Sequence, residues 1–216
     1  NKAYDEFYEY NHNTEQQIII NDTMWVSKSD DVLIHIRCQD VLLGGALSYG
    51  MSSLHYFNDA IKNALKIKLH KSMAIHIILF LDKKHGKACS EYLYDYLLPS
   101  FKKVFAPTPI KLILNGTIND DFYRFIKAPN IICGTSSYCL MGAIANENNV
   151  ILIKQWTPDE MGFMFKNEDG INVSSISDNI HFVNDPYMVI SKEITKNNMS
   201  TVSYTHLTLP TTSCVV

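Results

Sequence analysis

The sequence predicts an α/β fold built on a mainly parallel sheet, and three observations support this prediction. Short apolar runs rich in β-branched residues, typical of buried strands, alternate with segments of helical periodicity. Such alternation favours parallel strands joined by crossover helices. Polar residues lie at the ends of two of the apolar runs, at positions 35–40 and 134–137. Because ligands of open α/β sheets bind outside the carboxyl ends of the strands, these two segments predict a ligand site.

The first half of the chain contains two predicted strands, each followed by a helix. The first strand, residues 32–36, lies between two aspartates and a polar segment. A connection rich in glycine and serine then leads to a helix whose apolar residues recur at every fourth position, namely Phe57, Ile61, Leu65 and Leu69. The second strand spans residues 73–81. The second helix has one apolar face, formed by Cys89, Leu93, Leu97 and Phe101.

A third strand and a helix with an acidic start come next. Residues 110–114 form the strand, and residues 119–128 form a short helix. Asn119 is the predicted N-cap, which places Asp120 and Asp121 in the first turn. Carboxylates in that position interact favourably with the positive end of the helix dipole.

The last predicted elements surround the second polar segment. Residues 131–133 form the fourth strand, a helix begins at Ser136 or Ser137, and residues 150–153 form the fifth strand. Five strands with intervening helices predict a mainly parallel sheet. Residues 157–191 have little periodicity and carry no predicted element.

The composition is that of a globular protein with a hydrophobic core. Of the 216 residues, 46% are hydrophobic and 19% are charged, which argues against an intrinsically disordered chain. The formal net charge of −3 lacks the excess of lysine and arginine that nucleic-acid binding requires, so nucleic acid is not an expected partner. No apolar run approaches the roughly 18 residues that span a bilayer, and no membrane span is expected within this sequence.

The sequence predicts three parts along the chain. Residues 1–24 are polar and aromatic, and we expect there a linker or the end of a missing amino-terminal domain. Residues 25–200 have the length of one domain and contain all the predicted elements. Residues 202–216 contain a stretch that reads like a translated sequencing adapter, so this tail is predicted to be an artefact outside the fold.

The cysteines and the glycosylation sequons bear on the cellular compartment. Outside the tail, cysteines occur at positions 38, 89, 133 and 139 without regular spacing or a C-x-x-C pair, and we expect free thiols. Four N-x-[ST] sequons suit a secretory lumen, and they begin at Asn21, Asn115, Asn172 and Asn198. The sequence therefore predicts the Golgi or another secretory lumen, with the cytoplasm as the alternative.

The two polar segments contain groups that suit a phosphate-bearing ligand. Arg37 can clamp a diphosphate through two parallel charge-assisted hydrogen bonds. The turn at residues 134–137 offers N–H groups and hydroxyls at a helix start, which is a ready anion site. Either Asp120 or Asp121 can accept hydrogen bonds from N–H groups of a ligand. Together these residues favour a nucleoside diphosphate over a lone phosphate.

Several common binding motifs are absent from the sequence. There is no G-x-G-x-x-G after a strand and no G-x-x-x-x-G-K-[ST], which argues against dinucleotide oxidoreductase and P-loop chemistry. No pair of histidines has zinc-ligand spacing, and no acidic cluster resembles a calcium loop. The sequence therefore predicts neither a metal nor a cofactor.

The two polar segments together resemble a known family. Residues 35–40, HIRCQD, match the H-x-R-x-x-D strand end typical of the GDP-fucose-dependent fucosyltransferases of the α-1,2, α-1,6 and protein O-fucosyl superfamily. Residues 119–122 and 131–137 resemble that family's acidic helix start, followed by a strand and a serine pair. The resemblance covers about residues 30–155, and the order and spacing of the motifs agree.

This resemblance implies the Rossmann-like, donor-binding half of a GT-B glycosyltransferase that transfers fucose from GDP-fucose to a glycan or protein hydroxyl, with inversion and without a metal. Arg37 would bind the β-phosphate and stabilise the departing GDP. His35 and Asp121 would contact the guanine, and Ser136 or Ser137 would bind the diphosphate. The donor-binding residues that the resemblance implies are His35, Arg37, Asp120, Asp121, Thr135, Ser136 and Ser137.

The chain departs from the family pattern beside Arg37. The family's frequent second arginine is Cys38 here, and no lysine or glutamate follows to match the acid/base pair proposed for the α-1,6 enzymes. Asp40 is the nearest carboxylate, so Arg37 and Asp40 are the predicted catalytic residues, although Asp40 could instead orient Arg37 or its loop. Two other functions stay open: transfer from another nucleotide sugar, and noncatalytic binding of a GDP-sugar by a degenerate transferase.

Overall fold

The computed structural model describes residues 28–38, 41, 50–81, 86–153, 179–185 and 189–190. The predicted linker at 1–24, the catalytic candidate Asp40 and the tail at 202–216 lie outside these residues. The described elements form an α/β fold, as the sequence predicts.

A six-stranded sheet forms the centre of the fold, and every neighbouring pair of its strands is parallel. Its strands are β1 (Val32–Ile36), β3 (Ile75–Leu79), β4 (Ile110–Leu114), β5 (Asn130–Cys133), β6 (Asn149–Ile153) and β7 (Ile180–Val183). Their order across the sheet is β4-β3-β1-β5-β6-β7. Because the chain runs outward from β1 in one direction and from β5 in the other, the order reverses between these two strands, as in doubly wound Rossmann sheets.

A second, small sheet pairs two short antiparallel strands, β2 (Gly50–Met51) and β8 (Val189–Ile190). It joins a segment that follows β1 to a segment that follows β7. The predictions contain five strands, so β2, β7 and β8 are additions that the sequence did not predict.

The helices alternate with the strands of the main sheet. They are α1 (Leu54–Asp59) with a π-helical segment (Ala60–Ala64), α2 (Gly86–Glu91) with a π-helical segment (Tyr92–Leu97), α3 (Leu98–Val104), α4 (Ile118–Lys127) and α5 (Ser137–Ile144). The first helical run ends before Leu65 and Leu69, whose spacing predicted a longer helix. Lys66 has a φ of 54°, and this left-handed residue ends the helical run.

The start of α4 differs from its prediction by two residues. Its N-cap is Thr117, whose hydroxyl oxygen accepts a hydrogen bond from the N–H of Asp120 at 3.1 Å. The predicted cap, Asn119, lies instead inside the first turn. Asp120 and Asp121 also lie in that turn, as predicted, because the helix begins one residue before Asn119.

The side chains of β1 alternate between two hydrophobic clusters, one on each face of the sheet. Val32, Ile34 and Ile36 belong to the cluster that contains the aromatic residues of α1 and α3. Leu33 belongs to the other cluster, with Phe125 of α4 and apolar residues of α5. Burial on both faces explains why every residue of the strand except His35 is apolar, since a parallel sheet covered by helices has no solvated side.

The amino ends of the strands are tied by buried polar side chains. Asp31 accepts hydrogen bonds from the N–H of Ala74 at 2.7 Å, and its other carboxylate oxygen lies 3.2 Å from Nε2 of His76. Asn130 donates to the carbonyl of Asp31 at 3.0 Å. These bonds satisfy polar groups at the edge of the sheet opposite to the predicted ligand site.

The prediction of free thiols is wrong. Cys38 is bonded to Cys89, with 5.8 Å between their Cα atoms, and Cys133 is bonded to Cys139, with 5.7 Å between theirs. The pairs lie 51 and 6 positions apart in the sequence. Such irregular spacing carries no recognisable signal, because the pairing depends on which elements the fold places side by side.

Gly142 lies where α4 and α5 approach closely. A Cβ at this position would lie 2.6 Å from the Cβ of Phe125. We expect Gly142→Ala to lower the free energy of unfolding by about 1–3 kcal/mol through overpacking, measured by urea denaturation. In an open helix the same change would stabilise by about 1 kcal/mol, so a stabilised variant would contradict this close approach.

Candidate functional site

The carboxyl ends of β1 and β5 bring the two polar segments together. His35 in β1 lies beside Cys133 in β5, and the N–H of Gly134 donates to the carbonyl of His35 at 3.4 Å. This is also the point where the strand order reverses. The crevice at such a point is where open α/β sheets bind their ligands, so the geometry agrees with the predicted location of the site.

A small cleft opens beside these strand ends. Its lining includes His35, Arg37, Gly50, Gly134 and Thr135, so three of the predicted donor-binding residues share one cavity. The enclosed volume is about 10 Å³, roughly the space that one water molecule needs. Pockets that enclose a drug-sized ligand measure roughly 300–1,000 Å³, so the described residues outline a shallow site and do not enclose a whole nucleotide sugar.

The turn after β5 uses two of its hydroxyls within the fold. Thr135 is buried and donates its hydroxyl hydrogen to the carbonyl of Gly50. Ser136 is buried and is the N-cap of α5, where its hydroxyl oxygen accepts from the N–H of Cys139 at 3.4 Å. Ser137 begins the helix and is half-buried. A ligand anion at this turn would therefore meet Ser137 and the N–H groups at the start of α5.

The two disulfides brace both polar segments. Cys38 follows Arg37 directly, and its bond to Cys89 ties the end of β1 to α2. Cys133 ends β5 and is bonded to Cys139 in α5, so this bond spans the turn at 134–137. The segments that carry the candidate ligand groups are thus covalently restrained in the folded protein.

His35 lines the cleft and has a neutral, buried imidazole. Its ring packs against the ring of Phe125, with 5.2 Å between centroids, and against that of Tyr138 at 6.1 Å. Burial, with a smaller effect of the Arg37 charge, lowers the pKa of His35 from 6.5 to about 3. Its Nδ1 is buried and has no hydrogen-bond partner among the described residues.

The lowered pKa makes protein stability depend on pH. Between pH 6.5 and about 3 the unfolded chain protonates His35 and the folded protein does not, so stability falls as the pH falls through this window. One extra proton on the unfolded state contributes up to about 1.4 kcal/mol per pH unit. We expect His35→Gln, which cannot titrate, to show a smaller loss of stability between pH 6.5 and 5, measured by denaturation at each pH. An unchanged slope would contradict a neutral buried His35.

The two predicted aspartates differ in their surroundings. Asp120 is exposed, whereas Asp121 is buried and forms an ion pair with Arg124, with 2.7 Å between Oδ1 and Nη1. Burial raises the pKa of Asp121 despite the opposing effect of Arg124. Burial, and to a lesser extent the charge of Asp121, raise the pKa of Tyr138 to about 12. Asp121 therefore lies near the ring that packs on His35 and is already engaged by Arg124.

Several residues near the cleft were not predicted from the sequence. Asp185, just after β7, is buried and accepts from the N–H and the hydroxyl of Ser53 at 2.8 and 2.6 Å. Ser53 in turn caps α1 by accepting from the N–H of Tyr56 at 3.1 Å. The neighbouring Ser52 lines the cleft. A serine before an apolar helix is a recognisable cap, but Asp185 lies 132 positions from its partner and carried no local signal.

Two buried tyrosines, Tyr56 and Tyr92, lie close to the cleft. The hydroxyl of Tyr56 donates to the carbonyl of Cys133 at 2.7 Å, and Tyr92 lines the cleft. Burial first, and then the Asp185 carboxylate, raise the pKa of both phenols. Both therefore remain protonated hydrogen-bond donors at neutral pH.

Within the described part of the chain, no three His, Cys, Asp or Glu side chains are grouped so that they could hold a metal ion. None of the described helices has the length and apolar character needed to cross a membrane. Comparisons with protein-family models, curated proteins and solved structures find no match to this chain. Functional interpretation therefore depends on the geometry of the cleft.

Proposed function

We propose that this chain is the donor-binding part of a glycosyltransferase that transfers fucose from GDP-fucose to a hydroxyl of a glycan or glycoprotein, with inversion and without a metal. In this proposal, the observed α/β fold is the donor-binding half of a GT-B enzyme. One observation carries it: His35 and Arg37 lie in the same cleft as Gly134 and Thr135, at the reversal point of the sheet. Two motifs that resemble the fucosyltransferase pattern are therefore adjacent in space.

Arg37 would carry the main electrostatic role. A guanidinium binds two phosphate oxygens in parallel, and a charge fixed in the cleft stabilises the negative charge that develops on the departing GDP. Its half-buried position lowers the competition from water. The start of α5 would add N–H groups that favour the diphosphate. Protein groups would thus take the place of a metal.

The transfer itself requires an acceptor hydroxyl and a base. The acceptor oxygen attacks the anomeric carbon of fucose, the bond from that carbon to the β-phosphate oxygen breaks, and GDP leaves while the base removes the acceptor proton. Asp40 is the candidate base. His35 is suited to a different role, because a neutral imidazole with an unpartnered Nδ1 can bond the donor but is a weak base.

The two disulfides support passage through the Golgi or another secretory lumen. Disulfides persist in oxidising compartments and are rare in the cytosol. Both bonds join residues buried in the core, at most 3% exposed, as expected of structural disulfides. Glycans and glycoproteins, the acceptors of the proposed reaction, share that compartment.

A noncatalytic GDP-sugar-binding protein is the second candidate. Among the described lining residues of the cleft there is no carboxylate that could act as a base. In addition, Cys38 replaces the second arginine of the family pattern and is bonded to Cys89. A protein with these two features would still bind phosphate through Arg37, but it would lack a base in the described lining and the second arginine of the family pattern.

Titration calorimetry with GDP, UDP and ADP in the absence of added metal tests the proposal. We expect GDP to bind more tightly than UDP and ADP. A folded protein that binds none of the three nucleotides would overturn the donor site. Release of GDP from GDP-fucose then separates the two candidates, because a transferase turns over the donor in the presence of an acceptor or water, and a binding protein only binds it.

A further inference from the structure

The loop between β4 and α4 contains a glycosylation sequon on the surface of the fold. Asn115, Gly116 and Thr117 form the sequence N-G-T, and both Asn115 and Thr117 are exposed. The loop follows the strand at the edge of the main sheet. The other three sequons lie outside the described residues, so Asn115 is the one whose surroundings can be examined.

The two polar atoms of the Asn115 side-chain amide differ in their hydrogen bonding. Its carbonyl oxygen Oδ1 accepts from the N–H of Leu81 at 2.6 Å, which holds the side chain against the end of β3. Its amide nitrogen Nδ2 has no hydrogen-bond partner among the described residues. Among the described residues, the fold therefore uses the oxygen of this side chain and not the nitrogen that glycosylation modifies.

We propose that Asn115 carries an N-linked glycan. In the transfer, Nδ2 attacks the anomeric carbon of the first sugar of a polyprenyl-diphosphate-linked oligosaccharide. The new C–N bond replaces the C–O bond to the diphosphate, the amide loses one proton, and the polyprenyl diphosphate leaves. The product keeps Oδ1, so the bond from Leu81 survives modification. The proposal depends on passage through a secretory lumen, but it does not depend on the donor site.

The surroundings of Asn115 accommodate a bulky substituent. Asn115 has a φ of 56°, a left-handed conformation that asparagine tolerates. The neighbouring Ile118 is 76% exposed, which is unusual for a large apolar side chain. A hydrophilic glycan attached three residues away would cover part of this apolar surface and favour solubility.

Each residue of the sequon also has a place in the fold, and this decides the choice of variants. Thr117 is the N-cap of α4, and a Cβ on Gly116 would clash with Oδ1 of Asp121. Substituting either residue would therefore disturb the helix start. Asn115→Asp is the suitable variant, because it removes Nδ2 and keeps an oxygen for the N–H of Leu81. Thr117→Ser is the matched control, because it preserves both the sequon and the cap.

The test is to express the full chain behind a secretory signal peptide in cultured animal cells and to analyse total cell extract together with the medium. Peptides are treated with peptide N-glycosidase in heavy-oxygen water, which marks each formerly glycosylated asparagine. We expect most copies of the Asn115 peptide to carry the mark. We also expect Asn115→Asp to lose one glycan in gel mobility and Thr117→Ser to retain it.

An unmarked Asn115 peptide, recovered from chains whose Cys38–Cys89 bond is intact, overturns the proposal. That bond reports exposure to the lumen and correct folding around the end of β1. Titration of the Asn115→Asp variant with GDP tests the donor site separately from the glycan. The glycan would lie at the edge of the sheet and the phosphate site at the end of β1, so either proposal can be wrong without affecting the other. Loss of GDP binding in every form of the protein would remove the donor site and leave the glycan result standing.

Discussion

Replacing Arg37 by alanine is expected to weaken GDP binding by about two orders of magnitude. In the proposed donor site, the change would remove two charge-assisted hydrogen bonds to phosphate, which together would contribute roughly 3 kcal/mol. Every 1.4 kcal/mol corresponds to a factor of ten in the dissociation constant. Titration calorimetry of the wild-type protein and of Arg37→Ala measures the difference directly. The free energy of unfolding, measured on the same samples, shows whether the variant is folded.

Arg37→Lys is the matched control for this prediction. It keeps the positive charge but loses the planar pair of donors, so we expect an affinity between that of the wild type and that of Arg37→Ala. Two results would count against a diphosphate clamp at the end of β1. One is GDP binding that does not change in Arg37→Ala, and the other is complete recovery of binding with lysine.

Removing the Cys38–Cys89 bond is expected to destabilise the protein more than removing the Cys133–Cys139 bond. A cross-link restricts the unfolded chain by an amount that grows with the loop it closes. For separations of 51 and 6 residues, the chain-entropy relation gives about 4 and about 2 kcal/mol. We expect the double variant Cys38→Ala/Cys89→Ala to show the larger loss in urea denaturation, compared with Cys133→Ala/Cys139→Ala.

The same two variants also test what the bonds do for the site. Cys38 adjoins Arg37, and the Cys133–Cys139 bond spans the turn at 134–137, so both variants should weaken GDP binding as well as stability. Measurement at a temperature where each variant is fully folded separates the two effects. Equal losses of stability in the two variants would argue against an entropic origin of the difference.

The strands were the most predictable part of the fold. The predicted spans 32–36 and 110–114 coincide with β1 and β4, because four of the five residues in each strand are large and apolar. β1 is buried throughout, as expected of a central parallel strand, whereas β4 lies at an edge of the sheet and is half-buried. β7 was not predicted, because it is only four residues long and only Val183 in it is buried. Its exposed and half-buried residues do not show the continuous apolar pattern of a central strand.

The candidate site was predictable in its polar segments but not in its supports. His35, Arg37 and the turn at 134–137 could be placed at strand ends because the strands themselves were recognisable. The pairing of Asp121 with Arg124 has the i,i+3 spacing of a helix, but its burial depends on how the helix packs. The internal bond of Thr135 could not be predicted, because its partner, Gly50, lies in a distant part of the chain. The same holds for Asp185, which supports the cleft wall through Ser53.

By itself the sequence determined the α/β class, the position of most strands and the polar residues at their ends, since these depend on local periodicity and capping. The tertiary structure alone decided that β5 lies beside β1, that Cys38 pairs with Cys89, and that His35 is neutral. The physical reason is that strand order, disulfide pairing and desolvation arise from contacts between distant residues. A local pattern places a side chain on an element, and packing of the elements then decides what that side chain meets.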